Sequence, residues 1–509
     1  MINLPMNMSM IRYILNWILK LMSGLLLLVC IVAAVYHENV FRTYLLTAVV
    51  CLILSFVICP RKPENTVFYL KEGCVATSLS WIVMSIAGAI PLWITKEFPS
   101  FTDSLFEIIS GFTTTGASVS TNVEILSHAT IFWRSLTHWV GGMGVLVFIL
   151  AIVPMGGGSQ FNLMRAESPG PSVGKLVPKL RQTARILYII YFGFTVLECI
   201  LLLFGDMNFF ESLNTAIATA GTGGFGFRNS SMAEFNAYSQ WVITIFMFLF
   251  GVNFNFFYFV LLGQFRKAFS MEEVRYYVGL ALAAITVISL DLWKHTTGLF
   301  NGISAIIRHS SFQVATVMTT TGFATTDFNL WPQFSRSVLV LLMFVGACAG
   351  STGGGMKVSR YVIMLKTVRK ELLSYIHPKK VTKVSFDGKP VDHEVVRSVN
   401  VYFMSYIVIF VTSVLLISIE GKSLTTNFTA VTATLNNIGP GLDGVGPTQN
   451  YAGFTALSKY VMMFDMLAGR LELFPLLILF HPTIWADAIH EGHVRRKMKR
   501  NSRKMKNEN

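Results

Sequence analysis

Apolar runs long enough to cross a bilayer recur along the whole chain, and that recurrence leaves few ways to fold. In hydrocarbon every backbone N–H and C=O must be satisfied within the protein, so such runs become helices packed on one another. The candidate spans are 14–34, 44–57, 74–93, 131–154, 186–203, 241–262, 277–292, 338–364, 401–419 and 460–480. Charged residues make up 13% of the 509 residues and hydrophobic ones 53%, where a soluble domain carries about 25% charge. No polar linker divides the chain. An apolar run, not a small-residue cleavage site, follows the first span, so that span reads as a retained anchor and not a removed signal.

Ten crossings place both termini on one side, and the basic residues select it. Arg61, Lys62 and Lys71 flank one connection; Arg165, Lys175, Lys179, Arg181 and Arg185 fill another, followed by Arg266, Lys267 and Arg275. Ten Lys or Arg residues lie between Lys357 and Arg397, and eight follow Phe480. Basic loops that alternate with poor ones mark the cytoplasmic side, so both termini are expected there. The net charge of +14 is then a topology signal and not a nucleic-acid surface. A lipid or regulatory contact by the tail run 495–500 stays open beside simple anchoring. Cys30, Cys51, Cys59, Cys74, Cys199 and Cys348 have neither metal-site nor disulfide spacing and read as small hydrophobes.

The connections on the opposite side repeat one pattern. Residues 103–118 read DSLFEIISGFTTTGAS, 211–226 ESLNTAIATAGTGGFG, 310–324 SSFQVATVMTTTGFA and 427–441 NFTAVTATLNNIGPG. Gly116, Gly224, Gly322 and Gly439 align, each after about three helical turns of small or amphipathic residues and each between two apolar spans. The unit is span, half-length helix, glycine turn, span, four times over. A half-helix cannot cross hydrocarbon and must be re-entrant. Its carboxyl end favours a cation, and the backbone beyond it can aim carbonyl oxygens at one axis. Glycine permits the dihedrals this requires, and Thr114, Thr115, Thr222, Thr320 and Thr321 can add or brace oxygens. One such turn is an ordinary loop; four at equivalent places read as a pore. The copies are unequal, TTTG in the first and third, GTGG in the second, NNIG with Pro440 in the fourth.

The span after the third copy contains GACAGSTGGGMK at 346–357. Gly350, Ser351, Thr352, Gly353, Gly354 and Gly355 suit an interrupted helix beneath the pore, a gate or pore lining, with close helix packing as the alternative. A phosphate-binding loop is excluded because Met356 and Val358 flank Lys357. The last span carries Asp465, Arg470 and Glu472. Arg470 reads either as an electrostatic barrier donating to the 350–355 carbonyls or as the partner of Asp465 or Glu472. Asp103, Glu107, Glu211 and Asp443 are candidates for concentrating cations at the outer mouth or for helix caps. Lys357 and Arg360 are candidates for contact with a cytoplasmic partner, and are equally expected from the basic bias that marks the cytoplasmic side.

The four glycine segments, GGMG at 141–144, GVNFNFFYF at 251–259, GACAGSTGGGMK and LAGRLELF at 467–474 together resemble the bacterial Trk/Ktr/HKT superfamily, and two extra N-terminal spans resemble its TrkH/TrkG branch. The resemblance covers nearly the whole chain. It implies an all-α polytopic membrane protein, two N-terminal helices plus four pseudo-fourfold helix, re-entrant pore helix, helix repeats similar to a potassium channel. It implies K⁺ uptake across the inner membrane, a homodimer, and a cytoplasmic TrkA-type regulatory subunit that would carry NAD or ATP; this chain has no dinucleotide fingerprint. The filter would be Thr114–Thr115–Gly116, Thr222–Gly223–Gly224, Thr320–Thr321–Gly322 and Asn437–Ile438–Gly439. K⁺ would sit at Thr115, Gly116, Gly223, Gly224, Thr321, Gly322, Ile438 and Gly439, above a gate at Gly350–Gly355 and a constriction at Arg470. Glycine at 116 favours K⁺ over the Na⁺ associated with serine there in plant relatives.

The expected divisions are 1–66 for the first two helices, repeats at 67–155, 156–265 and 266–370 (with the gating loop at 346–357), 371–480 for the cytoplasmic connection and fourth repeat, and 481–509 for the tail. A Na⁺-selective or non-selective transporter of the same fold is the alternative, and channel-like flux and K⁺/H⁺ symport both stay open. A membrane enzyme is disfavoured, since no nucleophile or metal cluster stands out.

Overall fold

A computed structural model describes residues 6–63, 69–144, 180–295, 300, 302–380 and 382–485. The basic residues Arg165, Lys175 and Lys179, the tail run 495–500 and the 145–154 end of the fourth expected span lie outside the described residues.

Six helices among the described residues are long and apolar enough to cross a membrane: Met8–Val35, Phe41–Ile58, Leu70–Ile94, Leu180–Leu203, Glu272–His295 and His393–Ser418. The first two pack on each other and against the first repeat, outside the fourfold pattern. Tyr44 shares a 2.7 Å hydrogen bond with Thr130. Glu38 accepts the backbone N–H groups of His128 (2.7 Å) and Ala129 (3.0 Å), an acidic cap on the positive end of a helix.

Of the four remaining expected crossings, 338–364 is interrupted as its glycine run implied, while 131–154, 241–262 and 460–480 differ from the continuous spans expected there. Each begins as a short helix, His128–Gly142, Ala237–Gly251, Gln333–Phe344 or Ala456–Arg470, and stops. Fifteen residues rise about 22 Å, short of a hydrocarbon core of about 30 Å. In the second copy the chain turns by 92° into Phe254–Leu261, with Asn253 capping the new helix through Asn255 N–H. In the third it forms an irregular segment before Val358–Ile376. In the fourth, Glu472 and Leu473 take positive φ of 56° and 65° before Phe474–Leu479. Hydropathy does not register the breaks of the first, second and fourth copies, because the sequence stays apolar on both sides of them.

The half-helices are Phe101–Phe112, Phe209–Ala220, Ile303–Met318 and Leu424–Leu435. Ser100, Asn208 and Ser423 cap three of them through side-chain oxygens. Each half-helix packs against the short helix of its own unit and that of the preceding unit, and the first packs against Ala456–Arg470 of the last. The four units therefore close on themselves in chain order.

Behind the first half-helix lies a fully buried ion pair. Arg134 Nε donates to Glu107 Oε1 at 2.8 Å, with side chains 2% and 0% exposed. Arg134 also donates to Gly226 O at 3.1 Å, and Glu107 accepts from Ser118 Oγ and Val119 N–H. The pair joins the first unit to the loop of the second. Replacing Arg134 with Ala strands a buried carboxylate and should cost about 3–5 kcal/mol, read as a fall in the melting temperature of the detergent-solubilised protein. The Glu107→Gln, Arg134→Met double variant should recover part of that loss.

Candidate functional site

All four half-helices end the same way. In the first, Thr114 takes φ 57°, Thr114 N–H bonds Gly111 O at 3.1 Å, and Thr115 N–H reaches back to Ser110 O at 2.9 Å. Thr222, Thr320 and Asn437 repeat the left-handed residue at φ 52°, 57° and 57°. Gly223, Thr321 and Ile438 repeat the reach to Ala218, Thr316 and Ala433 at 3.0, 2.8 and 2.8 Å. This is a Schellman close. Gly116, Gly224, Gly322 and Gly439 follow two residues later at φ 77°, 73°, 91° and 95°, a region that side chains resist. A backbone that alternates hand every residue turns successive carbonyls to one side instead of opposite sides.

The segments meet in a ring. A Cβ on Gly116 would strike Gly223 O, one on Gly224 would strike Thr321 O, one on Gly322 would strike Ile438 O, and one on Gly439 would meet Thr115 O at 2.7 Å. Each glycine thus faces the carbonyl preceding the next copy's glycine, and the fourth returns to the first. The unequal sequences sit in equal backbone. Thr113 and Thr115 share a 2.8 Å hydrogen bond, as Thr319 and Thr321 do at 2.7 Å, while Asn437 Nδ2 crosses to Thr115 Oγ1 at 3.0 Å.

Beneath the ring lie the broken helix ends and the segment 345–357. Gly354 N–H donates to Thr320 Oγ1 at 2.6 Å. Cys348 N–H meets Gly251 O at 3.0 Å, and Thr352 Oγ1 meets Phe250 O at 3.2 Å, satisfying the second copy's helix end. Glu273 Oε1 accepts Ala349 N–H (2.7 Å) and Ser359 N–H (3.0 Å), holding the segment near both ends. Arg470 donates to Gly141 O (2.5 Å), Gly142 O (2.6 Å), Thr352 O (2.9 Å) and Thr114 Oγ1 (3.4 Å). One guanidinium therefore ties the first copy's helix end, the irregular segment and the ring above.

The alternative pairing of Arg470 gives way to this arrangement. Asp465 accepts from Ser413 Oγ at 2.7 Å, and Glu472 is paired with Arg360. Arg360 is itself buried 3.8 Å from the Tyr402 ring centroid, and Lys357 donates to Gly353 O and Gly354 O. Both cations are spent inside the protein, so neither is a surface for a cytoplasmic partner. The acidic candidates at the mouth are also engaged. Asp103 meets Lys459 Nζ at 2.6 Å, and Glu107 is buried with Arg134. Glu211 closes a capping box and pairs with Arg228 at 2.9 Å. Asp443 accepts from Ser423 and Thr426, which hold its carboxyl below the usual range. His138, passed over in the sequence among scattered histidines, is buried between the first and second copies, 2.8 Å from Gly111 O. No cluster of metal-ligating side chains occurs among the described residues.

A multi-pass membrane protein with four half-helix C-termini around one carbonyl-lined ring belongs to the class that handles bare cations. The family model described as TrkH, cation transport protein, matches residues 36–489. The Trk system potassium uptake protein TrkH of Salmonella typhimurium is 33% identical over 488 residues, covering 95% of this chain and 100% of that protein. TrkG of Escherichia coli strain K12 is 32% identical over 490 residues, covering 94% and 100%. The crystal structure of the potassium transporter TrkH from Vibrio parahaemolyticus matches with a TM-score of 0.85 at 30% identity, covering 94% of this chain and 100% of that one. This chain belongs to the TrkH family of cation transport proteins, and it is a transporter of the inner membrane, not an enzyme.

Gly322→Ala should reduce cation flux about ten-fold or more, because left-handed backbone alone costs a side chain about 1–2 kcal/mol and the new methyl meets Ile438 O. Gly279→Ala, in the helix Glu272–His295 with nothing within 4 Å of its added Cβ, should leave flux unchanged. Tracer uptake into vesicles, normalised to protein, reads both.

Proposed function

We propose that this chain takes up K⁺ through the ring, with residues 114–116, 222–224, 320–322 and 437–439 as the selectivity filter. The observation that carries the reading is closure of the ring, each filter glycine resting on the carbonyl of the next copy. Four half-helices end at that ring, each bringing about half a negative elementary charge, and carbonyl oxygens there replace the water of an entering cation. The potassium uptake named for the relatives supports K⁺ as the ion. The membrane potential supplies the drive, about 2.3 kcal/mol per elementary charge per 100 mV.

The segment Gly350–Gly355 is the gate, and Arg470 holds it closed. Its hydrogen bonds to Thr352, Gly141 and Gly142 put a positive charge beneath the filter, where it repels a descending cation. Opening requires those bonds to break and the 345–357 segment to leave Thr320 and Glu273. A TrkA-type cytoplasmic subunit carrying NAD or ATP would drive that movement on a homodimer with both termini cytoplasmic.

Growth of a K⁺-uptake-deficient cell at limiting K⁺, with Na⁺ as the control, tests the assignment. Rescue is expected, and rescue that Na⁺ abolishes would overturn the K⁺ reading. In proteoliposomes without the partner, Arg470→Ala should raise resting K⁺ flux about ten-fold; unchanged flux and regulation would remove the barrier role. Reversal potentials under imposed pH gradients separate the two coupling modes. Dependence on K⁺ alone marks channel-like flux, and a pH contribution marks symport.

A further inference from the structure

The second glycine segment is the unequal one. Where copies one and three carry Thr113 with Thr115 and Thr319 with Thr321, and copy four carries Asn436 with Ile438, copy two carries Gly221 and Gly223. Two side chains that would hold the backbone from behind are missing, yet the Schellman close and the ring contact are the same as in the other copies.

His138 occupies that space. A Cβ on Gly223 would strike the imidazole at Cγ, Nδ1 and Cδ2, and one on Gly221 would strike His138 O. The ring nitrogens bridge two copies: Nδ1 lies 2.8 Å from Gly111 O of the first half-helix, and Nε2 accepts Phe225 N–H at 3.2 Å, directly after Gly224. A carbonyl can only accept and an amide N–H can only donate, so this geometry requires the neutral Nδ1–H tautomer. The imidazole also packs on the Phe225 ring at 4.3 Å, and Arg134, one turn earlier, covers that ring at 4.1 Å.

The short helices give the comparison within one chain. Ten residues after the first residue of each helix (128 to 138, 237 to 247, 333 to 343, 456 to 466) stand His138, Met247, Met343 and Met466, all with 0% exposure. Each short helix packs against the next copy's half-helix, so Met247, Met343 and Met466 hold places equivalent to His138, and Thr321, Ile438 and Thr115 hold places equivalent to Gly223 in the following copies. Only His138 is matched with a glycine. The histidine and the glycine are exceptions at facing positions.

We propose that His138 is the positioning residue of the second filter segment, replacing from behind the side chains that Gly221 and Gly223 lack and so holding the Gly223 carbonyl in the ring. The assignment rests on the filter reading above and extends it to ion selectivity. Methionine at 138 fills the volume but leaves Phe225 N–H without its acceptor and removes the tie to Gly111 O, which keeps only Thr114 N–H, freeing this one carbonyl to shift.

Bi-ionic reversal potentials in proteoliposomes, with the amount of folded protein measured alongside, test this. His138→Met should lower the K⁺ to Na⁺ permeability ratio about ten-fold at undiminished folded protein. Gly223→Thr should abolish flux. The His138→Met, Gly223→Thr double variant rebuilds the pairing of copies two and three and should recover flux and part of the ratio. His138→Asn, which can donate to Gly111 O but not accept from Phe225, should fall between; it decides the matter if the Met variant does not fold. A wild-type ratio in His138→Met or His138→Asn overturns the proposal, as does a double variant no better than Gly223→Thr. Gly322→Ala separates the two layers. If it too leaves the ratio intact, the filter reading fails; if it alone collapses the ratio, only the role of His138 fails.

Discussion

A helix that ends inside hydrocarbon leaves carbonyls that no water meets, and this chain ends helices there twice in every repeat. The first ending, at the half-helix, is closed by the backbone through a left-handed residue and a glycine, which frees the following carbonyls to face the axis. The second ending, at the short helix, is closed in the first three copies by groups brought from elsewhere, and in the fourth by its own backbone through Glu472 and Leu473. Gly141 and Gly142 are met by Arg470, and Phe250 and Gly251 by the segment around Cys348 and Thr352. The ring and the structure beneath it are two answers to one demand.

That common origin couples them. The segment beneath the ring touches it through Gly354 and Thr320, and Arg470 touches it through Thr114. Moving the segment leaves helix ends unsatisfied unless water or ions take its place, so the closed arrangement is held by the cost of exposing backbone. The buried pair Glu107–Arg134 and the bridge at His138 do the equivalent work on the outer side, where the first and second copies meet.

The sequence made part of this legible. The fourfold repeat and its glycines could be read because positive φ at a fixed offset admits little else, and the structure puts Gly116, Gly224, Gly322 and Gly439 at one place in one motif. The breaks at Gly142, Gly251 and Arg470 were not, since a hydropathy window passes through them unchanged. Nor was the engagement of Glu107, whose partner Arg134 is 27 residues away. His138 had a signal in the sequence, the lone histidine at a position otherwise methionine, but it emerges only once the short helices are aligned from their first residues.

Anomalous scattering from crystals soaked in Rb⁺ or Tl⁺, close mimics of K⁺, measures the central claim most directly. A peak inside the ring, bounded by the carbonyls of Thr115, Gly223, Thr321 and Ile438, is the expected result. Full occupancy elsewhere with none in the ring would contradict it, because the four segments would then close on one another without offering their oxygens to an ion.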